Sequence, residues 1–227
     1  MPKTNSLHQH LIIAGTFIAM LFGSTIVKIP SSHADSVDFI AAADGDVLTF
    51  GGDSIDTVDT RLQFQQSGGL IRNVILEFDI GDLSPNAVIN SASLNVVKDG
   101  NLANTGSNPA PVEIFGYVGD GNITLGDYDA PASSLGSGEI ILGLSNGTAL
   151  DFTLDTVLIQ AIADSTGLLT LRLETNNFAT VNFASTETTT AFAPPTLTLE
   201  ISAVPEPSSA ILIAGWLAGF CAIQRRK

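Results

Sequence analysis

RNVILEFDI, from Arg72 to Ile80, is the stretch on which the reading of this chain turns. Val74, Leu76, Phe78 and Ile80 fall on one side of it, and Asn73, Glu77 and Asp79 fall on the other. A period of two is the period of extended strand, with one face buried and one wet. The same rhythm recurs on both sides of it. SASLNVV gives Ala92, Leu94 and Val96; LLTLRLE gives Leu169, Leu171 and Leu173; TLTLEI gives Leu197, Leu199 and Ile201. Connectors such as DLSPNA and DGNLANTGSNPAP are rich in the residues that turn a chain.

One segment breaks the alternation. LDTVLIQAIADSTG sets Leu154, Val157, Leu158, Ala161 and Ile162 at helical spacing, with Asp155 or Thr156 as cap and Gly167 as stop. The expectation is therefore an all-β, antiparallel β-sandwich with one short helix of two to three turns. No internal repeat is evident, so the segment reads as one domain.

Both ends of the chain are set apart from that domain. Near the start, Lys3 precedes an apolar run from Leu11 to Val27, and Ser32 and Ala34 flank His33 in the A-x-A pattern of a signal peptidase site. The spacing predicts a signal peptide over residues 1–34, cut between Ala34 and Asp35; a retained membrane helix is the alternative. All three histidines lie in that segment, and Cys221 and Trp216 lie in the C-terminal tail. The domain over 35–203 thus has no His, Cys, Trp or Met. Its basic residues are Arg61, Arg72, Lys98 and Arg172, against 22 acidic residues, a formal charge of −18.

Those absences exclude a Ser-His-Asp triad, a cysteine nucleophile and an ordinary zinc site. So acidic a surface repels nucleic acid. Carboxylates are the only available acids and bases. Asp79, Glu113 and Glu187 can be paired on paper, but nothing in the sequence sets them at the separation a glycosidase needs. The domain is read as non-catalytic, with no cofactor other than calcium considered. Oxygen donors suited to calcium gather in ADGDVLTFGGDSIDTVD, with Asp44, Asp46, Asp53, Asp56 and Asp59. GDGNITLGDYD adds Asp120, Asn122, Asp127 and Asp129. Turn-forming Asp and Gly account for both stretches equally well. For glycan contact the candidates are Tyr117 and Tyr128, which flank the second acidic stretch. In VEIFGYV, Phe115 and Tyr117 share the face opposite Val112 and Ile114, where coverage by another layer is the competing explanation.

Three stretches together carry a resemblance: RNVILEFDIGDLSPNAVINSASLNVV, LDFTLDTVLIQAIADSTGLLTLRLE and VNFASTETTTAFAPPTLTLEI. In that order they resemble the DNRLRE-type β-sandwich, a jelly-roll module related to carbohydrate-binding modules, which implies a jelly-roll-like fold over residues 35–203. Within these stretches, Ser84, Pro85 and Asn86 have turn chemistry. Ser185 can bond nearby backbone, and Glu187 can accept from backbone or arginine.

The tail, residues 204–227, opens with Val204, Pro205, Glu206 and Pro207 and continues through an apolar run from Ala210 to Ile223. It ends in Arg225, Arg226 and Lys227. It resembles a PEP-CTERM sorting signal. That resemblance implies processing by an exosortase-type membrane protease in a Gram-negative bacterium that makes extracellular polysaccharide. Physically, the two prolines hold an extended, unpaired stretch, and Ser208 can cap the helix that follows. Its 14 apolar residues would span roughly 21 Å, short of a ~30 Å hydrocarbon core. The basic end should stay cytoplasmic, so the helix serves as a transient transmembrane sorting helix; a plain anchor is the alternative. The expected partners are then a signal peptidase, the exosortase-type protease and extracellular polysaccharide. The expected location is the cell surface or the extracellular matrix, after transient anchoring in the inner membrane. The alternative functions are a protein-binding adhesin and, more remotely, a polysaccharide hydrolase or lyase.

Overall fold

A computed structural model describes residues 34–49, 53–84, 86–104, 108–141, 143–189 and 191–203. The signal peptide (apart from Ala34), the Val204–Pro207 motif, the sorting helix and the Arg225–Lys227 tip lie outside the described residues. The strands run in chain order as β1 (Ala34–Ile40), β2 (Ala43–Thr49), β3 (Ser54–Asp56), β4 (Arg61–Ser67), β5 (Leu70–Asp79) and β6 (Ala87–Asn104). They continue as β7 (Ala110–Val118), β8 (Ser133–Ile140), β9 (Ala149–Leu154), β10 (Leu168–Glu174), β11 (Ala179–Ala184) and β12 (Thr196–Ala203). A single α-helix among the described residues, α1 (Thr156–Ala163), joins β9 to β10.

All described pairings are antiparallel, and they link the strands into one sheet that curls back on itself as a sandwich. One layer runs β1-β12-β6-β9. The other is built around β2-β5-β10-β7-β8, with β4 and β11 beside it. The long β6 belongs to both: its first part pairs with β12 and β9, and from Lys98 onward it pairs with β11.

The alternation read from the sequence supplies the core. Val74, Leu76 and Phe78 of β5 and Leu169, Leu171 and Leu173 of β10 face Ala92, Leu94 and Val96 of β6 and Leu197 and Leu199 of β12. Phe64 and Phe183 fill the β4–β11 side, ring centroids 6.2 Å apart. The expected all-β, antiparallel sandwich with one α-helix is what the described residues form.

Two local expectations need correction. The outer side of β5 is wet only at its end: Asp79 is exposed as expected, but Asn73, Ile75 and Glu77 are buried, because a second covering lies on that side of the sheet. The helix is also rotated from its expected face. Val157 is 76% exposed and Ala161 is exposed, while Ile159 and Ile162 are buried. Gln160 fixes that rotation: its Oε1 accepts from Ile89 N at 2.8 Å and its Nε2 donates to Ala87 O at 3.1 Å, docking α1 on the start of β6. The N-cap falls as anticipated: Asp155 accepts from Val157 N at 2.8 Å. The helix stops earlier than expected, at Ala163 with Asp164 as its C-cap. Gly167, at φ +71°, closes the turn beyond it by donating to Ile162 O at 2.9 Å, and a Cβ there would meet Gly81 Cα at 2.5 Å. Asn86 adopts left-handed φ of 66° in the turn that leads into β6.

Candidate functional site

Antiparallel register decides which side chains share an outer face, and the two layers treat theirs differently. On the β5-β10-β7 layer, Glu77 lies opposite Thr170, which lies opposite Tyr117; Ile75, Arg172 and Phe115 form the next row. The segment 119–132 between β7 and β8 folds over these rows. Glu77 anchors it by accepting from Thr170 Oγ1 at 3.2 Å and from Gly121 N at 3.3 Å. Gly119 has to be glycine here, since a Cβ would come within 2.6 Å of Glu77 Oε2 and 2.7 Å of Thr170 Oγ1. Arg172 holds the far side. Its Nη1 donates to Asp127 O at 2.9 Å and Ala130 O at 3.0 Å, its Nε donates to Glu174, and its guanidinium carbon lies 5.6 Å from the centroid of the Phe115 ring.

Tyr117, proposed from sequence as a glycan platform, lies beneath this cover. Its hydroxyl donates to Asp127 Oδ1 at 2.8 Å. Burial pushes its phenol well above the usual tyrosine range, and the bond to Asp127 adds to the effect. Tyr128 lies in the 3-10 turn Leu125–Tyr128 and is half-buried. The structure therefore does not present Phe115 and Tyr117 as an exposed stacking pair; the covering loop is the explanation for that face.

The acidic stretches are likewise tied into protein contacts. Asp127 Oδ2 accepts from Thr124 N at 2.6 Å while Thr124 Oγ1 caps Gly126 N at 3.2 Å, a reciprocal capping box. Asp120 accepts from Asn122 N at 3.0 Å, the local turn that such residues make. Asp44 and Asp46 both sit in β2, both buried. Asp46 accepts from Gln63 N at 2.9 Å and pairs with Arg72 at 3.2 Å. Asp44 accepts from Thr186 N at 2.7 Å and lies beside Glu187.

Burial, reinforced by Glu187, pushes Asp44 up to about 7; burial pushes Asp46 up to about 6 against the lowering effects of Gln63 N–H and Arg72. Among the described residues no group of three or more His, Cys, Asp or Glu is arranged to hold a metal ion. Asp44, Asp46, Asp120, Asn122 and Asp127, the candidate calcium ligands, lie in β2 and in segment 119–132, where Asp44, Asp46, Asp120 and Asp127 accept hydrogen bonds from the chain. Ser185, fully buried, donates to Asp59 O at 2.8 Å across 126 residues of sequence rather than to nearby backbone. Of the carboxylates that could be paired as catalysts, Asp79 accepts from Gly81 N, Glu113 lies opposite Glu174 on the β7–β10 pair, and Glu187 lies beside Asp44.

The other layer keeps its outer face open. Asp38 of β1, Thr198 of β12, Ser93 of β6 and Thr153 of β9 form one row across four strands. Ile40, Thr196, Asn95 and Asp151 form the next, and Ser36, Glu200 and Ser91 flank them. Asp38, Glu200, Ser91, Asp151 and Thr153 are exposed. A bulge at Asn90 shifts the register between Glu200 and Ile201, so Asn90 and Ser91 are consecutive and both exposed.

Neighbouring side chains brace one another here: Thr198 Oγ1 donates to Asp38 Oδ1 at 2.7 Å, and Asn95 Nδ2 donates to Asp151 Oδ1 at 2.7 Å. The result is a pleated field of hydroxyl, amide and carboxylate groups, roughly 14 Å across its four strands. Sequence reading missed it. The signal was present in the residues between the inward leucines of TLTLE and SASLN, namely Thr196, Thr198, Ser91, Ser93 and Asn95.

Among solved structures the chain is similar to a xylan-binding module CBM15, with a TM-score of 0.38 and 9% identity over 74% of this chain and 97% of that one. No protein-family model and no curated protein matches the sequence.

Proposed function

We propose that this chain is an exported, non-catalytic module that associates with extracellular polysaccharide through the open face of β1-β12-β6-β9. The observation that carries the reading is the row Asp38–Thr198–Ser93–Thr153 with its neighbours: donors and acceptors set on rigid strands, exposed at Asp38 and Thr153, half-buried at Thr198 and Ser93, and braced by their own hydrogen bonds. Hydroxyl, amide and carboxylate groups are what a sugar's ring of hydroxyls pairs with. Holding them on strands limits the ordering cost of binding. With Ile40 as its large exposed apolar side chain, the face suits weak contacts that gain strength by repetition along a polymer.

Sorting belongs to the same proposal. Ala34 pairs with Ser202 across β1 and β12, so the predicted leader junction and the end of the last strand lie side by side at one end of the sandwich. Cleavage after Ala34 removes a single residue from β1. The exosortase-type route, with transient inner-membrane anchoring and release to the surface or matrix, follows from the resemblance of the tail.

Among the described residues the core cluster runs from Ala41 to Leu199, within residues 34–203. That segment should be retained on immobilised extracellular polysaccharide, and Thr198→Arg together with Thr153→Arg should abolish retention without lowering the melting temperature. Passage of the unaltered protein through the column, with capture instead of a surface protein, would replace this reading with the adhesin.

A further inference from the structure

We infer that the polysaccharide suited to the open face carries free amino groups, with Asp38, Glu200 and Asp151 as the carboxylates that receive them. This rests on the glycan-binding reading above and narrows it to a ligand class.

The first ground is where the positive charge of the domain goes. Its four basic side chains are all drawn into contacts within the chain. Arg61 pairs with buried Asp99 at 3.4 Å, and Arg72 pairs with Asp46 at 3.2 Å. Lys98 donates to Gly100 O and Asn146 Oδ1, both at 2.6 Å, and Arg172 is held beneath segment 119–132. None of the four lies on the open face, whose formal charge is wholly negative. A uronate or sulfate polymer would meet only like charge there, set within a domain of formal charge −18.

The second ground is the layout of the carboxylates among the hydroxyls. Asp38 and Glu200 are on adjacent strands, one row apart, roughly 7 Å from each other by strand geometry. Asp151 lies three strands from Asp38, on the order of 14 Å away. Charges so spread do not converge on one small ion; they match a chain that presents a charge at intervals. An ammonium group donates three hydrogen bonds and accepts none, so it pairs with carboxylate, while Thr198, Ser93 and Thr153 can donate to or accept from the hydroxyls between.

The test compares three probes against residues 34–203: a hexamer of glucosamine, the same hexamer fully N-acetylated, and polygalacturonate. Calorimetry at low and moderate salt should give binding of the glucosamine hexamer at least about tenfold tighter than the acetylated one. That preference should shrink as salt rises, and polygalacturonate should not bind. Asp38→Asn, Glu200→Gln and Asp151→Asn combined should erase the preference with the melting temperature retained. A charge-matched control, Asp53→Asn, Asp82→Asn and Glu139→Gln, alters exposed carboxylates away from the open face and should keep it. Equal loss in both triple variants would mean bulk attraction of a polycation and would overturn the inference. Equal affinity for the two hexamers would also overturn it, while leaving the glycan-binding reading intact; no binding to any of the three would remove its basis.

Discussion

Glu77, Thr170 and Tyr117 form an outward row on one layer, and Asp38, Thr198, Ser93 and Thr153 form an outward row on the other. In sequence both are the polar half of an alternating strand. In the fold segment 119–132 covers the first, burying Glu77 and Thr170 and half-burying Tyr117, while the second keeps Asp38 and Thr153 exposed and Thr198 and Ser93 half-buried. The difference lies in what each row offers to a passing loop. The sealed layer has Arg172, whose fork reaches two loop carbonyls, and buried Glu77, which accepts a loop N–H. The open layer has short hydroxyls that bond within the face itself. A polar strand face is thus wet by default, and one well-placed arginine converts it into an interior.

The sharpest way to break that contrast is to remove the arginine. Arg172→Ala strips the loop carbonyls and Glu174 of their donor and should cost about 3 kcal/mol in urea unfolding. Amide exchange across 119–132 should rise well beyond the global change. Unchanged exchange there would mean the cover is held by other contacts.

Buried and exposed carboxylates give the next comparison. The folded chain holds Asp44 at about 7 and Asp46 at about 6, above the ordinary carboxylate value of 3.8, so folding takes up protons. The stabilisation is fully present below about pH 4 and is lost as pH rises through 6 to 7. The protein should therefore be more stable at pH 5 than at pH 8, by on the order of 2 kcal/mol. Asp44→Asn keeps an acceptor for Thr186 N and should flatten most of that slope, raising the melting temperature at pH 8. A slope that survives in Asp44→Asn would assign the proton uptake elsewhere.

The smallest effect compares single hydroxyls. Tyr117→Phe loses the bond to Asp127 beneath the cover and should cost about 1 kcal/mol. Thr198→Val on the open face should stay within about 0.5 kcal/mol. Equal costs at the two positions would contradict the division into sealed and open faces.

Much of the sandwich was legible because leucine, valine and isoleucine at every second position leave little choice of which side is buried. The caps and turns at Asp155, Gly167 and Asn86 were legible for the same local reason: the side chain or its absence dictates the backbone. The face of α1 was misjudged because Val157, Leu158, Ile159 and Ile162 offer more than one apolar stripe, and Gln160 chose between them through Ile89 and Ala87, more than 70 residues away. The partners of Asp44 and Asp46 in β2 could not be read locally, because Thr186 and Gln63 are brought near only by strand packing.

Side-chain period and composition were enough, by themselves, to determine an acidic, antiparallel sandwich lacking histidine and cysteine in its body, with apolar segments beyond it at each end. Those properties are local or additive, so they can be read one residue at a time. Which polar face is covered, which carboxylates are buried and where each of the four cations is bound were decided by tertiary structure. Such outcomes depend on strand register and on contacts across as many as 160 residues. No short stretch of the chain contains both partners.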